Sequence, residues 1–225
     1  MKRKLHTIIA GALLGASNPT HAEETPQGII ANEIVNKTIL SGKQITEGPA
    51  LETFAMHFFD KFDGGVWVNY DLQKNRLAEV DVIAGKGIPI SDNINAYVKG
   101  AWFHIPDFGD FANGTVEILT SYFPVDFSVV YDHILGSQTN GQQLKINAQK
   151  QFTYQDTTLT ASASTAFSHN YLGTSSGHAY SSLGIGIEHT LNDPTTLSLN
   201  ITKNVPHTDE HTSETQIRFG VKIQY

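Results

Sequence analysis

Gln216-Ile217-Arg218-Phe219-Gly220-Val221-Lys222-Ile223-Gln224-Tyr225 closes the chain, and its reading decides the fold. Ile217, Phe219, Val221, Ile223 and Tyr225 share one parity, while Gln216, Arg218, Gly220, Lys222 and Gln224 share the other. Successive side chains of an extended strand point to opposite faces, so this period of two specifies a strand with one apolar and one polar face.

Working upstream, the same alternation recurs. Leu197, Leu199 and Ile201 stand against Ser198, Asn200 and Thr202, and Leu159, Ala161, Ala163 and Phe167 against Thr158, Thr160, Ser162 and Ser164. Val125, Phe127, Val129 and Tyr131 repeat the pattern. Shorter runs carry Val66, Val68 and Tyr70; Ala78, Val80 and Val82; Ile94, Ala96 and Val98; Val116, Ile118 and Tyr122; Leu144, Ile146 and Ala148; and Leu183, Ile185 and Ile187. That makes ten strands, and weaker runs over Gly28 to Leu40 and Leu51 to Phe62, the second with Phe54, Met56 and Phe58 on one face, raise the number to twelve.

The connections have a rhythm. From residue 41 they read 41–49, 63–65, 73–75, 87–92, 106–113, 123–124, 135–141, 154–156, 170–177, 192–194 and 204–212. Apart from the third and fourth, long alternates with short, as in a barrel threaded through a bilayer with long external loops and short periplasmic turns.

The N-terminus fits that setting. Met1-Lys2-Arg3-Lys4 precedes an apolar stretch from Leu5 to Ala16, and Thr20-His21-Ala22 supplies a small-residue cleavage site after Ala22, with Ala16 as the second choice. Residues 1–22 are read as a signal peptide and 23–225 as one β domain. Without Lys2, Arg3 and Lys4, twelve basic residues face twenty-two acidic ones, a balance of about −10 that disfavours nucleic acid as a partner. Cysteine is absent, so cross-links do not hold the domain. No later segment offers the run of about 18 apolar residues that a membrane helix needs, so a bilayer could be crossed only as a closed barrel. The fold class expected is therefore all-β, an antiparallel transmembrane β-barrel of about twelve strands (ten to twelve).

Alternation alone does not say which face is inside, because a soluble sandwich or barrel would bury the apolar one. The leader, the loop rhythm and aromatic residues near strand ends (Tyr70, Trp102, Tyr122, Tyr131, Phe167, Tyr225) place the apolar face against lipid. Lys150 is the main charge on that face, near enough to a strand end for its stem to snorkel. The polar face, carrying Glu79, Asp81, Lys99, Glu117, Asp126, Asp132, Lys145, Arg218 and Lys222, is expected to line the lumen, where these charges must pair or be hydrated.

The ending from Arg218 to Tyr225 resembles the C-terminal insertion signal of outer-membrane barrels, with Phe219, Val221, Ile223 and Tyr225 as its apolar positions. The segment Leu40 to Pro106, including Gly42-Lys43-Gln44-Ile45-Thr46-Glu47-Gly48-Pro49-Ala50-Leu51, Gly64-Gly65-Val66-Trp67-Val68 and Glu79-Val80-Asp81-Val82-Ile83-Ala84-Gly85, resembles small outer-membrane porins of the TorF type. The resemblance implies a general pore and no catalytic centre. It covers about a third of the chain, and Gly28 to Leu40 lacks the early aromatic and arginine-rich strand of that group.

Eight histidines remain after the leader. His207 and His211 flank Asp209 and Glu210, with His169 and His178 at the ends of a neighbouring loop, a set of imidazoles and carboxylates suited to zinc, copper or nickel; a solvated loop is the plainer reading. Ser175, Ser176 and His178 supply residue types for acyl chemistry, but no Gly-x-Ser-x-Gly elbow occurs, and Asn113-Gly114-Thr115 reads as a turn into a strand. No enzyme activity and no cofactor are expected. The expected function is passive diffusion of small hydrophilic solutes, with cation preference. Its partners would be outer-membrane lipid and the barrel-assembly machinery; no pattern sets an oligomeric state. A closed barrel recognising a ligand, metal or host surface through its loops is the alternative, and a soluble periplasmic barrel holding an apolar ligand is the third reading.

Overall fold

The computed structural model describes residues 27–40, 43–106, 109–122, 125–136, 140–173, 176–207 and 213–225. The signal-peptide assignment and Ser175, Asp209, Glu210 and His211 lie outside them.

Within the described residues the strands are β1 (Gly28–Val35), β2 (Ile39–Leu40), β3 (Lys43–Gln44), β4 (Ala50–Phe58), β5 (Asp63–Asp71), β6 (Arg76–Ser91), β7 (Ile94–Ile105), β8 (Gly109–Tyr122), β9 (Val125–Gly136), β10 (Gly141–Tyr154), β11 (Thr157–His169), β12 (Gly177–Asn192), β13 (Thr195–Pro206) and β14 (Glu214–Gln224). The short pair β2 and β3 forms a hairpin in the first connection. The other twelve close into an antiparallel barrel in which each strand pairs with its barrel neighbours in sequence and β14 returns to β1, from Ile29 opposite Gln224 to Val35 opposite Arg218. Closure leaves the barrel sheet without a free edge, as a strand-built structure in lipid requires. The amides of Gln27 and Gly28 both donate to the Tyr225 carbonyl, fixing the two termini at one rim.

The alternation of connections is sharper than the sequence suggested. On the terminal rim the links are 59–62, 92–93, 123–124, 155–156 and 193–194; on the loop rim they are 36–49, 72–75, 106–108, 137–140, 170–176 and 207–213. The expected connection 87–92 is corrected to a two-residue turn. Ile88 and Ile90 continue the outward alternation of β6, which Gly87 and Pro89 disguise in the sequence. Asn113-Gly114-Thr115 is no turn either: it lies inside β8, paired with β7 on one side and β9 on the other, so two ladders override its local turn propensity.

The exterior is apolar in every wall. Leu183 and Ile185 are 68% and 70% exposed, Phe219 52% and Val129 42%. So much contiguous apolar surface is incompatible with water and suits acyl chains, which makes this a membrane barrel. Lys150 is on this outer face with its Nζ 4.7 Å from the Phe152 ring centre, the cation resting on an aromatic beside the terminal rim. Tyr131 departs from expectation by lying mid-strand in β9. Phe54, Met56 and Phe58 share one face of β4 as expected, but it is the interior one: Leu51 faces outward, while Phe54 and Met56 are buried inside the barrel.

Candidate functional site

The functional surface of such a barrel is its interior, and here the two sides of the interior are unlike. One wall is crowded. Ala31, Phe54, Met56, Ile83, Ala101, Phe103, Ile105, Phe111 and Ile134 pack together with Tyr171 and Leu172, and Trp67 packs against them. The rings of Phe103 and Phe111 stack with centroids 4.9 Å apart. Tyr171 and Leu172 come from a short 3-10 turn, Tyr171–Gly173, in the connection between β11 and β12. Both residues are buried against strand residues, so this loop folds into the mouth at the loop rim and narrows it.

The facing wall is lined with small polar residues. Gln149, Ser162, Gly184 and Thr202 form one cross-strand row over β10 to β13; Asn147, Ser164, Ser182 and Asn204 form the next. Ser164 and Ser182 share a hydrogen bond of 2.6 Å, and Asn147 Nδ2 donates to Ser128 Oγ at 2.9 Å. Ser162 is exposed although it stands on the interior face, as its approach to the inner side of Gly184 shows. Short side chains form this lane of the wall, half-buried for the most part with Ser162 exposed, in contrast to the bulky apolar wall opposite.

All nine charged residues expected to line the lumen take the interior parity of their strands, and their environments differ. Arg218 donates to Glu33 Oε2 at 3.0 Å, to Glu52 and, through Nε, to Gln216. Lys222 pairs with Glu188 at 3.3 Å. Asp132 accepts from Thr115 Oγ1 at 2.5 Å and from Asn113 Nδ2 at 3.2 Å. Glu79, Asp81 and Glu117 are buried; Lys99, Asp126 and Lys145 are half-buried. Among the described residues no ion pair joins the five expected acids to the four expected bases. The pairing partners are instead Glu33, Glu52 and Glu188, which the sequence reading did not nominate. Glu188 was nevertheless legible, since it alternates with Ile185 and Ile187. Gly220 is required here: a Cβ would meet Glu33 Cγ at 2.7 Å and Ser198 Oγ at 3.0 Å.

The described histidines sit outside this interior. His207 stacks on His178, with ring centroids 3.8 Å apart, and its Nε2 contacts Ser181 Oγ at 3.0 Å. His178 Nε2 contacts Thr165 Oγ1 at 2.7 Å, and Ser176 bonds to His169 rather than to His178. Among the described residues no group of three or more histidine, aspartate or glutamate side chains is arranged to hold a metal.

No protein family and no curated protein matches the chain. Solved structures do. The KdgM porin superposes with a TM-score of 0.62 at 10% identity, over 88% of this chain and 99% of that one. The NanC porin gives 0.61 at 11% over 88% and 100%, and the COG4313 outer membrane channel from Pseudomonas putida F1 gives 0.62 at 7% over 93% and 100%. The fold is that of small outer-membrane channel barrels. At these identities the likeness concerns the path of the chain, while the interior side chains are this protein's own.

Proposed function

We propose that the protein is a passive diffusion pore of the bacterial outer membrane for small hydrophilic solutes, with preference for cations. The observation that carries this reading is the lane of small polar residues with exposed Ser162 inside a barrel whose outside is apolar. Solved neighbours named as porins, one of them KdgM in complex with disordered oligogalacturonate, support it. The charge sign follows from the whole domain, in which twelve basic residues face twenty-two acidic ones once residues 1–22 are removed. A net negative barrel concentrates cations and repels anions.

In this reading the rim holding Gly28 and Tyr225 is periplasmic, and Phe219, Val221, Ile223 and Tyr225 form the terminal signal presented to the barrel-assembly machinery. The purified, heat-modifiable protein in planar bilayers is expected to give stepwise conductance, with a reversal potential in a KCl gradient displaced toward that of potassium. Absence of conductance at every voltage and salt would instead describe a closed barrel, consistent with the packed apolar wall and the inserted Tyr171–Gly173 turn.

A further inference from the structure

We propose that Asn69, Glu79 and Asp81 form a calcium seat in the inner wall of the barrel. Register brings them together. Asn69 of β5 lies directly opposite Glu79 of β6, and Trp67 lies opposite Asp81, all four on the interior parity. Asn69 and Glu79, directly opposed, stand about 5 Å apart at Cβ, and Asp81 follows Glu79 two residues along the same face of β6, diagonal to Asn69, close enough for one ion to bridge the set. The ladder shifts register between Asn69 and Tyr70, so one extra residue, Ala78, sits beside Glu79. Such a bulge re-aims neighbouring side chains and is commonly found next to functional sites.

The second observation is a set of buried oxygens to which no amide, hydroxyl or cationic group among the described residues donates. Glu79 and Asn69 are both 0% exposed and Asp81 6%. Among the described residues no amide, hydroxyl or cationic donor reaches either carboxyl oxygen of Glu79, Asp81 Oδ1 or Asn69 Oδ1; the carboxyl groups of Glu79 and Asp81 lie within hydrogen-bond reach of each other. For Asn69 the cause is visible. Its Nδ2 donates to Thr38 Oγ1 at 2.9 Å, and that hydroxyl donates to Glu52 Oε1 at 2.8 Å, so the amide is held with nitrogen toward Thr38 and oxygen turned away. A carboxamide oxygen fixed in this way, fully buried beside two carboxylates, calls for a positive centre, because buried acceptors without donors are costly and rare in folded proteins.

The nearby cations are already committed or stand off. Arg218 is engaged by Glu33 and Glu52. Lys99, on the interior parity of β7, forms no ion pair with either carboxyl group among the described residues. The donor set is oxygen only, two carboxylates and one neutral carbonyl, which selects a hard cation; calcium takes about six to eight oxygens in flexible geometry, with water completing the shell. Zinc and copper, which prefer nitrogen and sulfur, do not suit it.

The test uses the folded full-length barrel in detergent after chelator treatment. Calorimetric titration with calcium chloride at fixed ionic strength is expected to show saturable binding of one ion per barrel, weakened about tenfold or more in Glu79→Gln and in Asn69→Ala. Terbium provides a second readout, because Trp67 is the interior tryptophan whereas Trp102 is 43% exposed on the lipid face. Indole-sensitised terbium emission is expected in the wild type and in Trp102→Phe, lost in Trp67→Phe, and displaced by calcium. Trp67→Phe leaves the ligands intact, so this arm decides even if Glu79→Gln fails to fold. No saturable calcium heat, undiminished binding in Glu79→Gln, or emission that survives Trp67→Phe would each overturn the proposal. Binding is read without any solute crossing the barrel, so a failed seat and a failed pore are distinguishable.

Discussion

Replacing Arg218 with alanine is expected to destabilise the folded barrel by about 3–5 kcal/mol, the scale for removing one partner of a buried ion pair. Arg218 lies between Glu33 and Glu52, whose side chains are only 8% and 3% exposed, and it is the cation both carboxylates share. The truncation leaves two like charges facing each other across directly paired residues of β1 and β4. The cost comes from that uncompensated charge rather than from the attraction lost, so Arg218→Ala combined with Glu33→Gln and Glu52→Gln is expected to recover most of the stability. Urea unfolding in lipid vesicles, followed by the heat-modifiable shift in gel mobility, measures both variants. A loss below about 1 kcal/mol, the scale of solvated surface pairs, would show that the triad is wet and carries little.

Ile185→Arg is expected to cost about 2–4 kcal/mol in the same assay, the penalty for a guanidinium near the bilayer midplane. Ile185 lies at the middle of β12, opposite Ala161 and Ile201, and is the most exposed of the large apolar side chains on its strand. Ser162→Arg, one residue from Ala161 but on the other face, is expected to leave stability near the wild-type value because its side chain meets water. Equal costs for the two substitutions would remove the distinction between the faces.

The outward face was readable from the sequence because lipid demands apolar residues at every second position and tolerates few exceptions. Alternation alone assigns Val129, Ile185 and Phe219 to it. The interior was less readable where it too is apolar. On β4, β7 and β8 the inward Phe54, Met56, Phe103, Ile105 and Phe111 sit between outward apolar residues such as Leu51 and Trp102, and two apolar faces erase the contrast on which a period of two depends. Glu33 was hidden in the same way, because Ile29 and Ile30 are adjacent and Ile34 abuts Val35. No local pattern could reveal that Tyr171 and Leu172 fold into the mouth, since their partners lie on strands distant in sequence. Nor could it reveal that Thr38 turns the Asn69 amide, for that contact depends on the first connection folding inside the barrel.

The chain contains no cysteine, which allows a direct test of whether water and solutes occupy the lane along β10 to β13. Ser162→Cys and Ala163→Cys place single thiols on adjacent residues of β11, one facing the interior and one facing lipid. With the barrels reconstituted in a planar bilayer, a charged, membrane-impermeant thiol reagent is predicted to label Ser162→Cys and lower its conductance, and to leave Ala163→Cys unmodified and fully conducting. Labelling of Ala163→Cys with Ser162→Cys protected would contradict the account.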